Sequence, residues 1–236
     1  MALDIQVLVT EGCPHSEPTI KLVAEVLKAL RLEVFPAVKV VRDREEAEAL
    51  AFPGSPTVRV NGVDLEGPDV GPAAFACRRY GTGGVPPRWL LEACILRALS
   101  PKHVLFLCVQ NSARSQLAEG IGRALAGPGV KVSSAGSKPT QVRPEAIQVL
   151  NEIGMDISSQ RSNGFEEVED PVELVVTLCQ DEVCPAWLGA RWRVHWGLPD
   201  PAQPSAPEEK RMSDFRGIRE ELVFRLGYLF GAGESK

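Results

Sequence analysis

Apolar positions along the chain switch between a period of two and a period of about 3.6, and each switch marks an element. IQVLVT (5–10) predicts a strand. Residues 16–32 place Ile20, Val23, Leu27 and Leu30 at helical spacing and predict a helix. EVFPAVKVV (33–41) reads as a strand, with Pro36 putting it near an edge or a bulge. DREEAEALA (43–51) predicts a short acidic helix. SPTVRV (55–60) and VDLEG (63–67) flank Asn61-Gly62, a two-residue hairpin signal. After a Gly/Pro-rich stretch, PRWLLEACILRAL (87–99) predicts a helix.

The pattern then restarts. HVLFLC (103–108) is continuously apolar, as in a strand buried on both faces of a parallel sheet. The helix after it carries Leu117, Ile121 and Leu125 on one stripe. VKVSSA (130–135) predicts a strand, and PEAIQVLNEIG (144–154) a helix ended by Gly154. ELVVTLC (173–179) and RWRVHW (191–196) predict two more strands. A last helix from Pro207 to Phe230 has Met212, Phe215, Ile218, Leu222, Leu226 and Leu229 as its apolar face. This alternation predicts an α/β fold whose second half is a four-stranded parallel sheet wrapped by helices. The boundary falls near Ser100-Pro101, giving domains 1–100 and 101–236.

Composition narrows the class. The 236 residues are 44% hydrophobic and 24% charged, ordinary for a soluble globular protein. A net charge of −5 argues against nucleic acid as a partner. No apolar run is long enough to span a membrane, and the N-terminus lacks a basic segment followed by an apolar one. A cytoplasmic location is expected. Six cysteines, Cys13, Cys77, Cys94, Cys108, Cys179 and Cys184, are too few for a disulfide scaffold and read first as catalytic, redox or buried.

The strongest chemical signal is HVLFLCVQNSARSQLAEG (103–120). A strand ends in Cys108; the loop Val109, Gln110, Asn111, Ser112, Ala113 follows; Arg114-Ser115 opens a helix. Backbone N–H groups between a strand end and a helix N-terminus converge on a tetrahedral anion. Arg114 can bind two of its oxygens through its planar fork. The same positive field is expected to favour the Cys108 thiolate, the reactive form. Ser115 can donate to that thiolate, and Asn111 can brace the loop.

Residues 102–231 resemble the low-molecular-weight tyrosine phosphatase fold, and more narrowly the thioredoxin-coupled arsenate reductases built on it. The resemblance rests on Cys-x5-Arg-Ser, NSARSQLAEG, SAG (134–136), VVTLC (175–179) and HWGLPDPA (195–202), in order. It implies that Asp200, before Pro201, is the general acid. It also implies a three-cysteine relay. Cys108 attacks arsenate, Cys179 attacks Cys108 and releases arsenite, and Cys184 moves the disulfide to Cys179–Cys184. Thioredoxin or a low-molecular-weight thiol system then reduces that bond. Only Gln180 to Val183 separate the two later cysteines, fewer than is usual in the family. Ala202-Gln203-Pro204 offers no aromatic platform for a phosphotyrosine ring, which favours a small bare oxyanion. Two other readings stay open: a phosphomonoesterase of the phosphatase type, and a non-enzymatic arsenite-binding or redox sensor. No cofactor is required. A potassium ion, bound by some of these reductases, would match Asn111, Glu119 and Ser134, with Asn163 at a usually acidic fourth position. His195 reads as a hydrogen-bonded scaffold residue, and Trp192 and Trp196 as packing residues.

In the first half, GCPHS places Cys13 after a strand and before a helix, a thiolate-favouring position. With FPGSPTVRVNG, it resembles a thioredoxin-like or glutaredoxin-like domain, in which Ser55-Pro56 would be the cis-proline loop facing Cys13. The departure is Cys-Pro-His-Ser: Ser16 cannot resolve a mixed disulfide, so Cys77, Cys184 or an outside thiol would have to. Cys94 shares an apolar stripe with Leu90, Leu91 and Ala98 and reads as core; Cys77 has no assigned role. Either this domain helps deliver electrons to Cys179–Cys184 through Cys13, or it is a non-catalytic module.

Overall fold

The structure is a computed structural model that describes residues 3–180 and 189–231. These fall into two compact units, residues 3–99 and residues 100–231.

The first unit is built on four strands, β1 (Ile5–Thr10), β2 (Ala37–Val41), β3 (Thr57–Val60) and β4 (Val63–Asp64), in the order β2-β1-β3-β4. β1 pairs parallel with β2 and antiparallel with β3, which pairs antiparallel with β4. Three helices accompany them: α1 (Ser16–Ala29), α2 (Arg44–Ala49) and α3 (Arg88–Leu99). Val7, Val23, Val26, Val58, Leu91 and Ile95 are fully buried. α1 stops three residues earlier than the periodicity predicts, because Arg31 takes a left-handed φ of 56°. β2 begins at Ala37 rather than at residue 33. Pro36 lacks an N–H for the ladder, and Phe35 beside it is 92% exposed. α2 starts where the Asp43 side chain accepts from the Glu46 N–H at 2.8 Å. Asn61 and Gly62 both take positive φ, 51° and 81°, as the expected tight hairpin requires, but β4 lasts only two residues.

The second unit is a parallel sheet of β5 (His103–Cys108), β6 (Lys131–Gly136), β7 (Leu174–Cys179) and β8 (Trp192–Leu198), ordered β6-β5-β7-β8. α4 (Arg114–Leu125), α5 (Pro144–Asn151) and α6 (Glu208–Phe230) complete it, with a short 3-10 turn at Phe165–Glu167. All six residues of β5 are buried, which explains its unbroken apolar run. The six apolar positions read on α6 are all buried. α5 ends at Asn151, before the expected Gly154; Gly154 (φ 77°) instead turns the chain so that the Met155 N–H reaches the Leu150 carbonyl. β8 runs two residues past Trp196 and so carries the Leu198 carbonyl to the sheet's carboxyl edge. Because the strands are parallel, Cys108, Gly136, Cys179 and Leu198 all end at that edge, where α/β sheets bind ligands. Among the described residues, no helix is long and apolar enough to cross a membrane.

Candidate active site

Cys108 closes β5, and its sulfur is already engaged. The Asn111 N–H donates to it at 3.2 Å, and Ser115 Oγ lies 2.9 Å away. Asn111 has a left-handed φ of 46°, which turns the loop back toward the sulfur. Its side chain faces away from the pocket and ties the loop down. Nδ2 donates to Ser115 Oγ (2.9 Å) and Ser134 Oγ (2.7 Å). Oδ1 accepts from Gln116 Nε2 (2.9 Å) and from the Asn163 N–H (2.7 Å). Its carbonyl accepts from Ser162 Oγ at 2.6 Å. The rest of the loop is held by N–H donors of the following segment: Lys138 to Val109, Thr140 to Gln110 and Arg143 to Ser112. Gly136 makes this possible, since a Cβ there would lie 2.5 Å from the Val109 carbonyl oxygen and 2.7 Å from the Asn111 nitrogen.

Arg114, the first residue of α4, is buried. One terminal nitrogen donates to the Leu198 carbonyl at 2.9 Å, and the other lies 3.8 Å from Asp200 Oδ1. The guanidinium is thereby aimed over the loop from the same side as Asp200. Cys108, Val109, Gln110, Ser112, Ala113, Arg114 and Asp200 line a polar pocket of about 60 Å³. Drug-sized ligands need several hundred Å³, so this pocket suits one small anion. It offers a thiol at its floor, backbone donors and a guanidinium around the wall, and a carboxyl at its mouth.

The family model for low molecular weight phosphotyrosine protein phosphatase matches residues 103–232, just over half of the chain. The chain belongs to the low molecular weight phosphotyrosine protein phosphatase family. Its curated relatives include proteins named arsenate reductase. That of Halalkalibacterium halodurans is 41% identical over 131 residues, 54% of this chain and 94% of the relative. That of Bacillus subtilis is 39% identical over 128 residues, 53% and 92% respectively. A solved arsenate reductase in its oxidized state aligns with 56% of this chain and 99% of its own, at 32% identity and a TM-score of 0.48.

Within this phosphatase-family domain, Cys179 ends β7, the strand next to β5. The register Leu107↔Thr177 brings the two strand ends side by side, and both cysteines are buried. Strand alternation continued from that pair would send Cys179 to the face opposite Cys108. Between Thr177↔His195 and Cys179↔Leu198 the pairing gains one residue on β8, so the bulge lies opposite β7 and not within it. Cys184 lies outside the described residues.

Asn111, Ser134 and Glu119 form one hydrogen-bonded chain, Ser134 Oγ donating to Glu119 Oε2 at 2.5 Å. Burial pushes the Glu119 carboxyl up, while the Ser134 hydroxyl and Arg123 pull it back. Arg123 lies 2.5 Å from Glu119 Oε1, and the Asn163 side chain accepts from Arg161 at 3.3 Å. As arranged, the oxygens proposed for potassium are engaged by the protein's own donors, and Arg123 supplies the positive charge beside Glu119. His195 sits exposed on β8 with Nδ1 2.8 Å from Thr177 Oγ1, bridging β7 and β8 as a scaffold residue would. Trp192 and Trp196 are buried.

In the first unit, the Ser55-Pro56 bond is cis. Cys13 Sγ donates to the Ser55 carbonyl at 3.7 Å. Burial pushes the Cys13 thiol up, but hydrogen bonds from Ser55, His15 and Ser16 outweigh it and leave the thiol below its ordinary range. Cys94 is buried, its thiol 3.4 Å from the Leu65 carbonyl, as a core residue.

Sequence reading missed Gln116, Ser162 and the backbone of Asn163, which hold Asn111 from behind. Gln116 lies next to Ser115 and carried a weak local signal. Residues 162–163 carry none, because they sit in an aperiodic polar stretch.

Proposed function

We propose that the chain reduces arsenate to arsenite through a three-cysteine relay. The observation that carries this reading is a second buried thiol, Cys179, on the strand beside the nucleophile's. Hydrolysis of a phosphocysteine needs one cysteine; a two-electron reduction needs more. The names of the curated relatives support the same reading.

In this reading the loop N–H groups and Arg114 hold arsenate against Cys108. The Cys108 sulfur bonds to arsenic as one As–O bond breaks, and Asp200 protonates the departing oxygen. Cys179 then attacks the Cys108 sulfur. The S–As electron pair passes to arsenic, arsenite leaves, and Cys108–Cys179 is the new disulfide. Cys184 attacks Cys179 and frees Cys108. An external dithiol, thioredoxin or a low-molecular-weight thiol system, reduces Cys179–Cys184. The end of β7 must rearrange for the second step, because its alternation directs Cys179 to the face opposite Cys108. The reaction is read as cytoplasmic, where such thiols are kept reduced. A cation takes part in none of these steps.

Residues 1–100 are read as a thioredoxin-like domain and residues 101–236 as the reductase domain. The parallel β1–β2 pair, the antiparallel β3 and the cis-Pro56 loop at Cys13 support the first assignment. Fusion gives a tethered redox domain an effective concentration of about a millimolar, provided the linker lets it reach.

The test is reductant-coupled arsenate turnover by wild type, Cys108→Ser and Cys179→Ser, beside an aryl phosphate assay. Both variants should lose arsenate turnover. Wild-type arsenate rates in Cys179→Ser would refute the relay. Rapid aryl phosphate hydrolysis without reductant, unchanged in that variant, would favour the phosphatase. The same turnover assay on Cys13→Ser checks the first domain: an unchanged rate means that it does not feed the relay.

A further inference from the structure

The Cys-Pro-His-Ser sequence leaves Cys13 with no thiol in its own loop, but the fold brings one from elsewhere. The Ser55 N–H donates to the Ala76 carbonyl and the Arg78 N–H donates to the Ser55 carbonyl, each at 2.8 Å. Ser55 and Cys77 therefore face each other as a parallel bridge pair. Neighbouring strands lie about 4.8 Å apart. Ser55 is also the residue whose carbonyl accepts from Cys13 Sγ at 3.7 Å. Cys13 Sγ and the N–H of Arg78, the residue after Cys77, therefore meet on one carbonyl oxygen. Closing a disulfide between the two cysteines requires their Cα atoms to come within about 7 Å.

The position of Cys77 is built rather than incidental. Its neighbour Arg78 is buried, reaching Asp64 at 2.6 and 2.7 Å, Glu66 at 2.7 Å and Thr57 at 3.1 Å, with its guanidinium 4.5 Å from the centre of the Tyr80 ring. Gly54 (φ +133°) lets the segment come close, since a Cβ there would stand 3.0 Å from the Ala76 carbonyl oxygen and 3.1 Å from Arg78 Cβ. Further along, Gly84 packs on His15: a Cβ at 84 would lie 2.2 Å from that ring. Residues 76–84 thus run across the Cys13 loop, anchored on both sides of Cys77. Cys77 itself is exposed and Cys13 half-buried, so an outside thiol or disulfide can reach the pair. Cys13 has the environment of an attacking thiol, and Cys77 that of a thiol that follows.

We propose that Cys13 and Cys77 form one reversible dithiol–disulfide couple, with Cys13 attacking and Cys77 resolving. Given a low-molecular-weight disulfide, the Cys13 thiolate bonds to one sulfur and one thiolate leaves. Cys77, losing its proton to solvent, attacks Cys13 Sγ and expels the second thiolate. Two electrons pass from the couple to the disulfide, and two equivalents of a low-molecular-weight thiol restore it. The couple stands whether or not the second unit reduces arsenate.

The test uses the full chain, incubated with oxidised glutathione, acid-quenched, alkylated and mapped by peptide mass spectrometry. Wild type should yield a Cys13–Cys77 linked peptide that dithiothreitol removes. Cys77→Ser should instead hold a stable Cys13–glutathione adduct, at least tenfold more abundant than in wild type. Equal adduct in the two proteins, or Cys13 linked to a different cysteine, would overturn the couple. If Cys77→Ser fails to fold, the wild-type map decides alone, by the presence or absence of the 13–77 peptide. No readout involves arsenate, so failure of the relay leaves this result unaffected.

Discussion

The Arg114 guanidinium stands 3.8 Å from the Asp200 carboxylate while donating to the Leu198 carbonyl two residues before it. One side chain thus fixes the anion-binding fork and the mouth of the pocket together. Arg114→Lys keeps the charge and loses the fork. Hydrogen bonds to charged groups contribute about 1.5–3 kcal/mol. Arsenate kcat/KM should therefore fall on the order of 10- to 100-fold, with little change in the unfolding midpoint. A lysine variant with wild-type kcat/KM would show that the fork is not used.

Gly136→Ala tests the fit of β6 against the loop. The added methyl meets two backbone atoms, Val109 O and Asn111 N, that no rotamer change can move aside. Overpacking of this kind costs about 1–3 kcal/mol. The expected outcome is a lower urea midpoint and loss of phosphate or arsenate binding by calorimetry. Wild-type binding would mean that the loop tolerates displacement.

Asn111 separates backbone from side chain. Asn111→Gly keeps the left-handed turn but strips the Gln116 and Asn163 donors of their acceptor. Asn111→Ala does both kinds of damage, because a left-handed alanine costs about 1–2 kcal/mol more. Urea unfolding should rank wild type above glycine above alanine. Equal stability of the two variants would place the whole effect in the side chain.

Glu152 predicts a pH window. Hydrogen bonds from Arg216 and Arg219 hold its carboxyl down at about 2, from an ordinary value of 4.5. A carboxylate depressed on folding stabilises above its unfolded value, and that stability drains away as pH falls through the folded one. Glu152→Gln should lower the unfolding midpoint at neutral pH, and the gap should close on acidification towards pH 2. High salt should also narrow it, since the Glu152–Arg216 pair is solvent-accessible. A gap constant with pH would remove the ionic explanation.

Exchanging potassium for sodium at constant ionic strength should leave the midpoint and turnover unchanged, because Arg123 already neutralises Glu119. A rise in either with potassium would show that a cation displaces the internal donors.

The sequence revealed most where one physical cause acts locally. β5 is legible because burial on both faces puts five apolar residues, Val104 to Cys108, in a row, and α6 because one face alone is buried. The anion loop is legible because strand, loop and helix N-terminus are contiguous. β2 was overextended because an apolar count cannot see that Phe35 is left in solvent before Pro36. The partners of Asn111 and the pairing of Ser55 with Cys77 were illegible for another reason. They join segments many residues apart, through groups with no periodic signature.

The hydrogen bonds converging on Asn111 come from α4, β6 and residues 162–163, stretches that meet only when the second unit is assembled. No isolated fragment containing Cys108 and Arg114 would carry a formed anion site. Oxyanion protection of the Cys108 thiol against alkylation should therefore emerge late in refolding, as a reporter of completed tertiary structure rather than of the loop's own sequence.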